Sequence, residues 1–335
     1  MAKTTPVKRS LPGNWKQWVA ENKLLGTPDQ YIAETLVQQG FSKTAINKEL
    51  KEASEHPYIK AAYQLSEQKR KYEALMDLQH TLFAESSFYN KIFFEKNLSQ
   101  GEFLDFYYSQ NRPVVINDMM TNWKALSLWT PEYFKTYYGD EMVEIQIERS
   151  SDPVYEQNSD HHKKKIKFSE YVDMVLNGGE TNDYYMTANN HVIENPNMKN
   201  LLNDIEMFPE YLRPDYKSGE VFFWFGPAGT ITPLHHDRQN IFMAQVSGRK
   251  LVKLIPPTQT HLVYNHLTVF SQVDCENPDF DRFPLFEKAS VITGILNPGQ
   301  VLFLPNGWWH YVRALDVSVT VTFTNFVYKN PVFSW

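Results

Sequence analysis

Near its C-terminal end the chain alternates strictly over eight positions, Val317, Val319, Val321 and Phe323 against Ser318, Thr320, Thr322 and Thr324. Successive side chains of a β-strand point to opposite faces, whereas a helix would scatter this pattern around its axis. The run is therefore a strand with two unlike faces, and its apolar face needs a second layer to cover it. Val221-Phe222-Phe223-Trp224-Phe225 is a continuous apolar strand stopped by Gly226-Pro227. Val301-Leu302-Phe303-Leu304 follows the turn Asn297-Pro298-Gly299. Residues 240–246 and 249–255 flank Ser247-Gly248, a hairpin signature. Upstream, Phe103–Tyr108 reads as a helix and Arg112-Pro113-Val114-Val115-Ile116 as a short buried strand. Many short strands with turn punctuation predict a mainly β fold with flanking helices, a sandwich or barrel of the jelly-roll kind.

Residues 1–85 have a different texture and predict a small α-helical N-terminal region, leaving 86–335 as the β domain. Thr27-Pro28-Asp29-Gln30 reads as a capped helix start, with Ile32, Leu36 and Val37 at helical spacing and Gly40 as the stop. A second helix runs from Ser42 to about His56-Pro57. A third covers about 58–83, with Ile59, Tyr63, Leu75, Met76 and Leu82 as packing points. Such a bundle suits docking, substrate recognition or homodimer formation.

Charge is uneven: residues 1–80 carry a net +3 and the remainder −9, which is not the concentrated basic surface that nucleic acid requires. The longest basic run, His161-His162-Lys163-Lys164-Lys165, reads as a solvated loop. Cys275 is the single cysteine, so an internal disulfide and a multi-cysteine zinc site are both excluded. The opening MAKTTPVKRSLPGNWKQW has no apolar core of a leader, and no apolar run reaches membrane-spanning length. The expectation is a cytoplasmic protein with no membrane partner.

Of the ten histidines, His235 alone has a carboxylate two residues on, Asp237. On a strand those two side chains share a face, with His236 on the other. His310, in Trp308-Trp309-His310 after an apolar strand, is the candidate third ligand. Two imidazoles and one carboxylate on one face leave coordination positions open, the pattern of non-haem Fe(II) oxygenases. Thr232 lies three residues before His235. Lys250 lies fifteen after it and shares a face with Val252 and Leu254. A lysine facing inward needs an anion beside it. Asn325 extends the apolar alternation of Val317 to Phe323, so a polar group is expected on the inward face.

The stretches Thr232-Pro233-Leu234-His235-His236-Asp237, Ala244-Gln245-Val246-Ser247-Gly248-Arg249-Lys250 and Ile255-Pro256-Pro257 resemble the Jumonji-C and cupin-like 2-oxoglutarate oxygenases. So do Ser271-Gln272-Val273-Asp274, Arg282-Phe283-Pro284, Pro298-Gly299-Gln300-Val301-Leu302 and Trp308-Trp309-His310. Within that family the motifs are most similar to the asparaginyl hydroxylase that inhibits hypoxia-inducible factor. The resemblance is strong over about 220–330, looser over about 90–220 and absent over 1–85. It implies a double-stranded β-helix with Fe(II) held by His235, Asp237 and His310. It also implies 2-oxoglutarate as cosubstrate, its far carboxylate received by Lys250, the Thr232 hydroxyl and a tyrosine, with O2 consumed. Tyr185 is the best match for that tyrosine and Tyr184 the runner-up, since alternation turns only one of them inward. Asn325 matches a residue lining the cosubstrate pocket. Ile241 stands where the asparaginyl hydroxylase has Asn and Val327 where it has Trp, so the likeness is closer for cosubstrate than for substrate. The implied activity is hydroxylation of a peptide or protein side chain. N-methyl-lysine demethylation, tRNA-base hydroxylation and a non-catalytic binding role are the alternatives.

Overall fold

The computed structural model of the chain describes residues 8–332, apart from the side chains of Asn189, His266 and Leu267. Met1–Val7, part of the opening read above as leader-free, lie outside the described residues. The chain divides into two compact units, Met1–Gln79 and His80–Trp335. Among the described residues no helix is long and apolar enough to cross a membrane.

The helices of the N-terminal region are α1 (Gly13–Leu24), α2 (Asp29–Gln38), α3 (Lys43–Glu55) and α4 (Pro57–Ala84). Val19, Ile32, Leu36, Phe41, Ile46 and Leu50 make the core of the first unit. Gly40, at φ +84°, ends the α2 segment as a left-handed residue must. Ser42 caps α3 by accepting the Ala45 N–H. The capped start expected at Thr27 is not formed: Pro28 takes the cap position and the Thr27 hydroxyl donates to Asn22 instead. Spacing does not announce α1, because only Val19 of it is buried. Nor does α4 use its expected packing points. It buries no residue, and Tyr63, Leu75 and Leu82 are 45, 55 and 64% exposed.

The second unit carries β1 (Phe93–Glu95), β2 (Val114–Ile116), β3 (Met142–Gln146), β4 (Lys163–Lys167), β5 (Val221–Gly226), β6 (Ile231–His236) and β7 (Ile241–Ser247). Then come β8 (Lys250–Ile255), β9 (Asn265–Leu267), β10 (Phe270–Ser271), β11 (Ile292–Leu296), β12 (Val301–Leu304), β13 (Trp309–Ala314) and β14 (Ser318–Phe323). Eight of them form two antiparallel layers, ordered β5–β14–β7–β12 and β6–β13–β8–β11. The chain changes layer after β5, β6, β7, β11, β12 and β13, which is the double-stranded β-helix of a jelly roll. β2 and β1 extend the first layer beyond β12, and β10 and β9 extend the second beyond β6.

The expected hairpin at Ser247-Gly248 is instead a crossover. β7 pairs with β12 and β14, while β8 pairs with β11 and β13 in the other layer. The turn chemistry was legible, but a tight turn does not say whether its strands pair. Gly248 adopts φ +69°, and a Cβ there would stand 2.2 Å from the Val317 carbonyl oxygen. Gly248→Ala is therefore expected to cost about 2–4 kcal/mol of stability in chemical denaturation, through left-handed strain plus overpacking.

The basic run expected to be a loop is also ordered. Ser159–His162 form a short helix and Lys163–Lys167 form β4, antiparallel to β3. Ile166 is buried, Lys163 faces Glu144 at 3.6 Å, and the His162 ring bonds the Ile147 carbonyl and Asp152. Charge density hid one apolar anchor and the carboxylates that meet the lysines.

A large aromatic cluster covers the first layer. Phe134 of the helix Pro131–Tyr138 and Phe168 and Tyr171 of the helix Phe168–Asn177 pack on Phe223, Phe225, Val319, Val321 and Phe323. The apolar face of β14 therefore looks outward at helices, and its threonine face is left to look between the layers.

Candidate metal centre and cosubstrate cavity

β6 and β13 are neighbours in register, with His310 opposite His235 and Trp309 opposite His236. Alternation sends His235 and His310 to one face, where their ring centroids are 4.0 Å apart. On the other face His236 packs edge-on against Trp309. Asp237 follows the end of β6, and two hydrogen bonds from the Asn306-Gly307 turn tie this segment in place. The Gly307 N–H donates to the Asp237 carbonyl, and the Asn306 side chain donates to the Arg238 carbonyl. Asp237 Oδ2 lies 3.6 Å from His310 Nε2. One donor atom from each of His235, Asp237 and His310 falls within 4.8 Å of the other two, and no other such group of three occurs among the described residues.

The imidazoles are prepared for a cation. His235 Nδ1 donates to the Pro233 carbonyl at 2.8 Å and His310 Nδ1 to the Trp308 carbonyl at 3.0 Å. Each bond assigns the proton to Nδ1 and leaves the Nε2 lone pair free, as in histidines that bind a metal through Nε2. Burial, aided by the neighbouring His235 ring, holds His310 well below the usual imidazole value, so it is a neutral donor. Burial raises the Asp237 carboxyl while the two adjacent imidazoles oppose that shift. A divalent cation would remove both penalties. The donor set fits iron on these grounds.

The same face opens on a cavity of about 460 Å³ between the layers, lined by residues that include His235, Asp237, His310, Thr232, Tyr185 and Lys250. Lys250, 3% exposed, begins β8. Its Nζ donates to Tyr185 Oη at 3.2 Å and stands 5.9 Å from the Tyr185 and Trp224 ring centroids. Among the described residues no carboxylate pairs with it, and burial alone pulls its ammonium down to about 7. Tyr184 turns the other way and donates to the Met174 carbonyl.

Asn325 is placed elsewhere. It is buried, donates to the Arg213 carbonyl and does not line the cavity. The expectation put the valine face of the last strand inward, but the covering helices take that face. Thr320, Thr322 and Thr324 line the cavity instead, with Phe222, Trp224 and Met243. Ile241 also lines it, whereas Val327 does not. Sequence reasoning missed Trp224, Glu156 and the threonines. The threonines were visible as a polar stripe, assigned to the wrong side.

The cupin-like domain family matches residues 100–330. The chain belongs to that family. It is 34% identical over 233 residues to lysine-specific demethylase 8 of Xenopus tropicalis, covering 67% of this chain and 50% of that protein. It is 32% identical over 248 residues to JmjC domain-containing protein D of Dictyostelium discoideum, covering 67% of this chain and 53% of that protein. It is 32% identical over 238 residues to lysine-specific demethylase JMJ30 of Arabidopsis thaliana, covering 68% of this chain and 52% of that protein. The chain spans about half the length of the curated relatives it matches. Together these place it in the Jumonji-C, cupin-like family.

Proposed function

We propose that this protein hydroxylates a C–H bond of a peptide or protein side chain, consuming O2 and 2-oxoglutarate and releasing succinate and CO2. The observation that carries the reading is one cavity holding both the convergent His235/Asp237/His310 donors and a buried ammonium that no carboxylate neutralises. Bound iron supplies the oxidising chemistry, driven by decarboxylation of the cosubstrate. Each of the chain's own groups has a separate task. His235 and His310 present fixed Nε2 lone pairs, and Asp237 supplies the anion that a dication requires. Lys250 neutralises the far carboxylate of 2-oxoglutarate, with the Tyr185 and Thr232 hydroxyls as donors beside it. Phe222, Trp224, Met243 and Ile241 keep the cavity wall apolar, which strengthens these charge contacts and excludes water.

A second reading has a specific support: two of the relatives are named as lysine-specific demethylases. Hydroxylating an N-methyl carbon gives a carbinolamine that releases formaldehyde, so the two readings share one site and differ in product. Incubation with Fe(II), 2-oxoglutarate and candidate peptides, followed by mass spectrometry, separates them. A gain of one oxygen supports side-chain hydroxylation, loss of a methyl group with formaldehyde supports demethylation, and absence of succinate with every peptide and without peptide rejects both.

A further inference from the structure

Behind Tyr185 lies a second buried cation. Arg149 has no exposed surface and follows Glu148, which sits in the left-handed region at φ +57°. That conformation is uncommon for a glutamate and turns the chain sharply as it leaves β3. The Arg149 N–H donates to the Asp183 carbonyl, and Gln146 and Tyr185 exchange both backbone bonds. The backbone of Arg149 is thereby indexed to that of Tyr185. Its Nη2 donates at 2.7 Å both to Glu156 Oε1 and to the Ile231 carbonyl. Its guanidinium carbon lies 4.4 Å from the Tyr155 ring centroid and 5.2 Å from that of Tyr185. Nε and Nη1 have no hydrogen-bond partner.

This is a costly way to fill space. A buried arginine with two unpartnered donors is outperformed in stability by an apolar side chain of similar volume. Its neighbours show what it does instead. Ile231 immediately precedes Thr232, and Tyr185 and Glu156 both line the cavity. One guanidinium thus holds the backbone beside one expected donor and the ring of another.

We propose that Arg149 is the positioning residue of the cosubstrate end of the cavity: stacked behind Tyr185 and bonded to the Ile231 carbonyl, it aims the Tyr185 and Thr232 hydroxyls at the far carboxylate of 2-oxoglutarate. This rests on the oxygenase reading above. Glu156 pairs with the guanidinium and limits the cost of burying it. Burial raises the Tyr185 hydroxyl well above the usual phenol range; the guanidinium opposes that shift and Glu156 adds to it.

The test measures 2-oxoglutarate affinity on the full chain by anaerobic calorimetry, with Mn(II) in place of iron. Arg149→Met combined with Glu156→Gln removes both charges and leaves no buried carboxylate unpaired; Arg149→Lys keeps the charge and loses the planar stack. The double variant is expected to bind 2-oxoglutarate about 3- to 30-fold more weakly, the range of a desolvated cation–aromatic contact, with Mn(II) affinity changed by less than about 2-fold. The Lys variant is expected to fall between. In turnover, KM for 2-oxoglutarate rises and kcat at saturation does not. Unchanged 2-oxoglutarate affinity in either variant overturns the proposal, as does an equal loss of Mn(II) and 2-oxoglutarate binding, which would mark a merely structural role. Wild-type protein that binds no 2-oxoglutarate overturns the oxygenase reading and this proposal together, whereas the variant results bear on Arg149 alone.

Discussion

Asp237→Ala is expected to abolish iron-dependent conversion of 2-oxoglutarate to succinate. The substitution leaves two neutral imidazoles, ring centroids 4.0 Å apart, with no anion to balance a dication. Disturbing a group that merely orients a metal ligand costs about 10–100-fold, and removing the charged ligand itself exceeds that. Folding should survive, because the structural bonds of Asp237 run through its backbone. Succinate production and bound iron, measured on the same preparation, check this. Wild-type-like succinate output from the variant would remove the metal assignment.

The second large effect concerns Lys250. Lys250→Met is expected to raise the apparent requirement for 2-oxoglutarate by about 100-fold or more, since it strands a carboxylate in a low-dielectric cavity. Iron binding should change little, because Lys250 touches none of the three ligands. A pH dependence accompanies this. Without an anion Lys250 titrates near 7, against 10.5 for a free lysine. Between those values the unfolded chain holds a proton that the folded one has shed. Its contribution to stability is therefore least favourable below about 7 and improves as pH rises through the window. A bound carboxylate restores the charge, so cosubstrate binding takes up a proton. Affinity should then weaken with rising pH above about 7, approaching tenfold per unit. Thermal unfolding with and without 2-oxoglutarate at neutral and alkaline pH reads both slopes. A Lys250→Met protein that keeps the same pH dependence would reject this role.

Much of this was legible in the residues themselves. The alternation of β14 and the apolar runs of β5 and β12 gave strands, and the spacing of His235, Asp237 and Lys250 gave the chemistry. The place of His310 after an apolar strand made it the third-ligand candidate, and motif resemblance selected Tyr185. What was not legible depended on partners distant along the chain. Nothing near Ser247-Gly248 says that its flanking strands join different layers. The two faces of β14 could not be assigned until the helices Pro131–Tyr138 and Phe168–Asn177 were seen to cover the valines, and Asn325 was misplaced with them. Arg149 sits in a polar stretch with no local sign of burial; its environment is built by Tyr155, Tyr185 and Ile231.

The order of the strands also has a consequence in time. β13 is inserted between β6 and β8, and β14 between β5 and β7. β13 and β14, made after every other strand of these two layers, are thus interior members, not edges. Until they arrive, both layers are split, and His235 and Asp237 wait without His310. On the proposed metal assignment, iron capture is consequently a late event in biogenesis, and a chain interrupted before Trp309 would lose the continuity of both layers along with the third candidate ligand.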